Sequence, residues 1–213
     1  MSPRRLLVPG RAPFVFATAQ YESGDWDSAP SLPGNLIDSV ARYTSIAVAP
    51  QGVNVPLASE DVLRFPLLFL TGHLPVRFTP AEGRVLQRYV ARGGLLFIDD
   101  HNHDIDGAFH KTATEEIARL IAPLQPLPNT HALYSAFFDF PDGPPTTSHE
   151  LNGWGDNLVH EQLLAVRRGD RLAVLYSNKD YASEWNFHPD NKRFMGKDPT
   201  RFGVNLVVYA LTH

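Results

Sequence analysis

Apolar positions along this chain alternate between short unbroken runs and longer stretches at helical spacing, which predicts an α/β fold. Residues 14–19, 67–70 and 95–98 are runs too short for helices, and such continuous runs fit strands covered on both faces. Between them Leu32, Leu36, Ile37, Val40 and Tyr43 recur at helical intervals and predict a helix over about 30–44. Thr79-Pro80-Ala81-Glu82 opens the next helix with a capping box and a proline at its first position. Val85, Leu86, Tyr89 and Val90 form its inner face, and Gly93 suits a left-handed stop. Thr112-Ala113-Thr114-Glu115 predicts a further helix start, with Ile117, Leu120 and Ile121 inward and Pro123 beyond its end. Residues 163–166 and 172–176 read as a hairpin, and Asp198-Pro199 as the start of a last helix through about Leu211. The stretch 123–155 is rich in Pro, Gly, Asn and aromatics, predicting long loops with one ordered piece over 133–140. The expectation is one α/β domain over residues 1–213: a three-layer, mostly parallel, doubly wound sheet. Residues 1–13 would be an N-terminal extension and 123–162 a loop-rich elaboration.

Each predicted strand runs out into polar residues. The first leads to Gln20-Tyr21 and Gly24-Asp25-Trp26, the second to Thr71-Gly72-His73, and the third to Asp99-Asp100-His101-Asn102-His103-Asp104. The strand over 172–176 leads to Ser177-Asn178-Lys179-Asp180-Tyr181. In a doubly wound sheet such ends share one rim, and ligands bind there. His73, Asp99 and Asp100 are therefore the candidate catalytic residues, holding a metal or activating water. Gln20, Tyr21, Asp25 and Trp26 are candidate ligand contacts. The competing structural reading has Trp26 filling the core and Asp25 capping a backbone. Asp180 and Tyr181, in a rim loop with Trp185, add a candidate general base and proton donor. His101, His103 and Asp104 are candidate ligands for a divalent Zn, Mn or Fe, because histidines two apart in an extended loop face one point. The bland alternative leaves those histidines exposed, with Asp99 and Asp100 bonding loop amides. His131, His149, His160, His188 and His213 sit in irregular segments or at the terminus and read as surface residues.

The chain has 213 residues, 43% of them apolar, and a net charge of −4, an ordinary soluble composition that points away from nucleic acid. No apolar run reaches spanning length, so no membrane helix is expected. Pro9, Gly10 and Arg11 break the start where a signal peptide would be apolar, so cytoplasm is the expected compartment. There is no cysteine, which rules out disulfides, thiolate metal sites and cysteine nucleophiles. Asn102, Asp104, Asp106 and Gly107 imitate the opening of a calcium loop, but its twelfth position is Ala113 where Glu is required.

Read as a whole from about Phe14 to Thr212, the chain resembles the bacterial family called domain of unknown function 4159. The resemblance rests on Gln20-Tyr21 with Gly24-Asp25-Trp26, Phe65-Pro66 with Leu70-Thr71-Gly72-His73, and Gly93-Gly94 through Asp99-Asp100. Gly153-Trp154-Gly155, Tyr176, Asn178, Asp180-Tyr181, Trp185, Gly203-Val204-Asn205 and Tyr209-Ala210-Leu211 complete it. It implies a flavodoxin-like or class I glutamine amidotransferase-like scaffold and supplies no reaction. The chain departs from the commoner form after Asp100, where His101, His103 and Asp104 replace small residues and often a cysteine. A glutaminase is excluded, since there is neither a cysteine nor a Gly-x-Ser-x-Gly elbow. The leading expectation is a metal-assisted hydrolase acting on a small polar molecule. The alternative is a non-catalytic ligand-binding or assembly module on a degenerate amidotransferase-like fold.

Overall fold

The computed structural model describes residues 12–151, 161–186 and 197–213. In chain order these form β1 (Ala17–Gln20), α1 (Leu32–Tyr43), β2 (Val53–Pro56), β3 (Leu67–Gly72), α2 (Pro80–Ala91), β4 (Leu95–Asp100) and α3 (Ala108–Leu120). They continue as β5 (Gln125–Pro126), α4 (Ser148–Leu151), β6 (Leu164–Arg168), β7 (Arg171–Ser177), α5 (Tyr181–Asn186) and α6 (Lys197–Thr212). Short 3-10 turns occupy Glu60–Arg64 and Ala132–Ser135.

The strands form one seven-stranded sheet in the order β2-β1-β3-β4-β7-β6-β5. β2, β1, β3, β4 and β7 run parallel, and β6 turns back along β7 as the expected hairpin, with β5 pairing on its outer side. Side chains leave a strand alternately to its two faces. Leu67, Phe69, Leu95 and Phe97 accordingly join one core with α1, α5 and α6. Leu68, Leu70, Leu96 and Ile98 join the other with α2 and α3. Covering both faces is what makes these strands continuously apolar, and each large side chain so buried contributes about 1.5–3 kcal/mol. The result is the expected α/β layering around a mostly parallel sheet.

Local chemistry sets the ends. The α2 capping box is present: Thr79 Oγ1 accepts from Glu82 N, and Glu82 Oε2 accepts from Thr79 N at 2.8 Å. Glu82 Oε1 also takes Glu22 N at 2.9 Å, tying the loop after β1 to α2. Gly93 has φ 105, the left-handed stop that the sequence anticipates.

Other expectations are corrected. α3 begins at Ala108, not at Thr112, because a turn between Asp104 and Gly107 already presents Gly107 as its cap. Thr112 lies inside the helix and donates back to Ala108 O at 2.7 Å. Tyr181 and Trp185 belong to the helix α5, not to a loop. The ordered piece expected over 133–140 is the turn at Ala132–Ser135, closed by Phe140 N donating to Tyr134 O at 2.8 Å. Gly153, Trp154, Gly155, His160, His188 and residues 1–11 lie outside the described residues.

Candidate functional site

Parallel β1, β3, β4 and β7 carry the polar ends of the sequence to one rim. Register puts Thr71 beside Asp99, Gly72 beside Asp100, and Ser177 beside Asp99 on its other flank. Thr71 Oγ1 donates to Asp99 O at 2.7 Å, which ties the ends of β3 and β4 together.

On the β1–β3 side, Asp25 sits beneath the turn that follows β3. Its Oδ1 accepts from His73 N at 2.8 Å and Leu74 N at 3.1 Å, and its Oδ2 lies 2.7 Å from His73 Nδ1. Partial burial works to raise the Asp25 pKa, but these hydrogen bonds outweigh it and hold the carboxylate below its usual value. The arrangement needs Gly72, since a Cβ there would meet Tyr21 Oη at 2.5 Å and Asp25 Oδ1 at 2.7 Å. Tyr21 donates to Thr71 O at 3.0 Å, and burial pushes its hydroxyl pKa far up, so it serves as a wall. Gln20, Tyr21 and Trp26 line a separate open cleft of about 310 Å³ with Glu22, Pro56 and Leu57.

On the β4–β7 side the centre is Asp180, buried at 1% exposure. Its Oδ1 lies 3.5 Å from His101 Nε2 and accepts from Ser183 N at 3.0 Å. Its Oδ2 lies 2.9 Å from His149 Nε2 and 3.7 Å from His103 Nδ1. Burial by itself would raise the Asp180 pKa, but the surrounding imidazoles and Ser183 lower it below the ordinary carboxylate range. At 3.7 Å His103 is beyond hydrogen-bond reach, so we read its pull on Asp180 as electrostatic. The rings stack in pairs, His73 on His101 at 4.4 Å and His103 on His149 at 4.5 Å. Asp180 lies where the two stacks meet. The Asp180 carboxylate 2.9 Å away raises the His149 pKa, whereas burial lowers that of His101. Both Asp180, at φ 58, and His103, at φ 44, hold a left-handed backbone that ordinary residues avoid.

Of the proposed metal ligands, His103 joins His149 and Asp180 in a set whose ligand atoms all lie within 4.8 Å of one another. His101 and Asp104 are not in that set. The ring nitrogens of His101 lie 3.1 Å from Ser28 Oγ and 2.9 Å from Ser183 Oγ. Asp104 Oδ1 accepts from Asp106 N at 2.8 Å within its own loop. His101 and His103 thus both reach the Asp180 carboxylate, at 3.5 and 3.7 Å, but on different oxygens, and only His103 joins the set.

Asp99 and Asp100 are fully buried below this centre. Asp99 Oδ2 accepts from Ala182 N at 2.6 Å and so supports the start of α5. Burial raises the Asp99 pKa well above normal, and the nearby charge of Asp180 adds to this. Burial raises that of Asp100 to about 6, against hydrogen bonds from Asn102. Asp99 Oδ1 and Asp100 Oδ2 have no hydrogen-bond partner among the described residues. Tyr181 is buried, and its hydroxyl donates to Pro145 O at 2.6 Å.

His149, read in the sequence as a surface residue, instead lies largely covered 2.9 Å from Asp180, and Lys179 also takes part without having been singled out. Thr147-Ser148-His149-Glu150 does carry a capping-box signature, and Glu150 Oε2 accepts from Thr147 N at 2.8 Å. That signal marks an ordered turn but says nothing of where it docks.

Fold and rim together define an α/β protein whose strand ends converge on a buried carboxylate ringed by imidazoles. The chain belongs to the family described as Domain of unknown function (DUF4159), whose sequence profile matches residues 15–211. No curated protein matches it. Among the described residues no helix is long and apolar enough to cross a membrane.

Proposed function

We propose that the protein is a metal-assisted hydrolase of small polar molecules. His103, His149 and Asp180 would hold a divalent Zn, Mn or Fe. The observation that carries this reading is the His103–His149–Asp180 set, within 4.8 Å and drawn from separate segments, with two of its members in left-handed backbone. Imidazole and carboxylate donors suit these metals, and three protein ligands leave a coordination position for water or substrate. Such a cation would lower the pKa of a bound water to about 7. Beside it, Asp25 orients His73 by taking its Nδ1 proton in a hydrogen bond, leaving Nε2 to accept or return a proton. The scaffold reading is flavodoxin-like and amidotransferase-like. The parallel order β2-β1-β3-β4-β7 supports it, because β7 takes the place of a fifth strand in the order 2-1-3-4-5.

Elemental analysis of the protein purified without a histidine tag tests the proposal. About one Zn, Mn or Fe per chain should be present, lost in Asp180→Asn and His103→Ala and kept in Asp104→Ala. A wild-type chain that is metal-free and takes up no added Zn²⁺ overturns the reading.

A further inference from the structure

His149 reaches the centre on a short helix from a stretch otherwise made of loops, so something must hold that helix down. Residues 145–150 are fastened to residues 179–184 along their length. The Tyr181 hydroxyl donates to Pro145 O at 2.6 Å, and Ser148 N donates to Glu184 Oε1. Lys179 Nζ meets Glu150 Oε1 at 2.6 Å, with Lys179 only 3% exposed and the Glu150 side chain largely covered. The other oxygen of Glu150 accepts from Thr147 N and, at 3.0 Å, from Thr147 Oγ1. Lys179 adjoins Asp180 in sequence, and Glu150 adjoins His149. The buried ion pair thus fixes the position next to the contact between His149 and Asp180. Two charges withdrawn from water this far are costly unless they stay paired, so removing either one while the segment is docked strands a buried charge.

We propose that Lys179 and Glu150 form a latch that places His149 for the metal, and that cation binding and docking of residues 145–150 reinforce each other. This rests on the metal reading above. Neither residue touches the cation, so both are positioning residues acting through His149. Linkage requires the coupling to be reciprocal: if the docked segment raises affinity for the cation, the cation stabilises the docked segment to the same degree.

The test measures Zn²⁺ affinity of the full chain by competition with a chromogenic chelator. Glu150→Gln keeps an acceptor for Thr147 and removes the charge, and Lys179→Met removes the partner. Each should weaken Zn²⁺ binding about 10–100-fold, the usual effect of disturbing an outer-shell residue. On a His149→Ala background neither should weaken it further, because there is no ligand left to place. Added Zn²⁺ should slow amide hydrogen exchange across residues 145–150 in the wild type and much less in Glu150→Gln. Thermal unfolding of Glu150→Gln confirms that it folds, should Lys179→Met fail to. Wild-type affinity in Glu150→Gln, or an equal loss with and without His149, overturns the latch while the metal reading stands. A wild-type chain that binds no Zn²⁺ removes both.

Discussion

At the ends of β1 and β3, both oxygens of Asp25 are engaged by the turn that it supports, and His73 rests on it partly open to solvent. At the ends of β4 and β7, Asp180 is buried among imidazoles, its backbone and that of His103 are left-handed, and Asp99 and Asp100 beneath each have an oxygen with no hydrogen-bond partner among the described residues. In the first half of the rim both Asp25 oxygens are committed to stabilising the turn that carries His73. The second departs from local preference in backbone, burial and bonding at once, and such departures cluster where a site is shaped for a ligand. The direction of strand addition reverses between β1 and β3, the usual place for a ligand. Here the unusual chemistry lies two strands over, between β4 and β7, with His73 stacked on His101 as the bridge between the halves.

The two halves should differ most at their aspartates. Asp180→Ala should lower stability by about 3–5 kcal/mol, the cost of removing one partner from a buried charged cluster, and abolish metal uptake. Asp25→Asn should cost about 1 kcal/mol and leave metal uptake intact, since it exchanges hydrogen bonds at a partly exposed site. Equal losses in urea unfolding would erase the distinction between the halves.

Asp100 sharpens it through pH. Burial raises its folded pKa from 3.8 to about 6, so the neutral acid is the form that the fold accepts. Its contribution to stability is complete below about pH 4 and is lost as pH rises through about 6, a loss of up to about 3 kcal/mol. Asp100→Asn keeps an acceptor for Asn102 N and cannot ionise. Its advantage over wild type should therefore grow across that interval, with chelator present. A constant difference in urea midpoints across it would show that Asp100 is not held neutral.

A smaller effect isolates the left-handed backbone. His103→Gly and His103→Ala both lose the imidazole, but only glycine adopts φ 44 without cost, so the glycine variant should be about 1 kcal/mol the more stable. Smallest of all, Gln20→Ala in the cleft beside β1 should change stability by no more than about 0.5 kcal/mol and leave Zn²⁺ affinity unchanged.

How far all this could be read in the sequence follows from burial. β3, β4 and β7 declare themselves because cores press on both faces, and α2 because its cap and its inner face agree. β2 does not, since Val53-Asn54-Val55-Pro56 is an edge strand with Val53 exposed and a proline at its end. α5 is hidden because six residues are too few to show a helical period, and nearly all of them are buried. For the site, the sequence implied that the polar strand ends share one rim, and Asp25 and His73 meet there without having been paired in advance. The pairing of His103 with His149 was out of reach. It depends on a left-handed residue that no spacing rule anticipates, and on a turn whose capping signature does not say where it docks.

The three members of the candidate metal set come from positions 103, 149 and 180, and the carboxylate that collects the two imidazoles is the last of them to be synthesised. A nascent chain therefore carries its histidines well before anything exists to assemble them. An interrupted product ending before β7 would hold two imidazoles with no shared anchor. Completion of the centre is in that sense a late event of biosynthesis, reserved for chains that have passed residue 180 and closed the sheet around it.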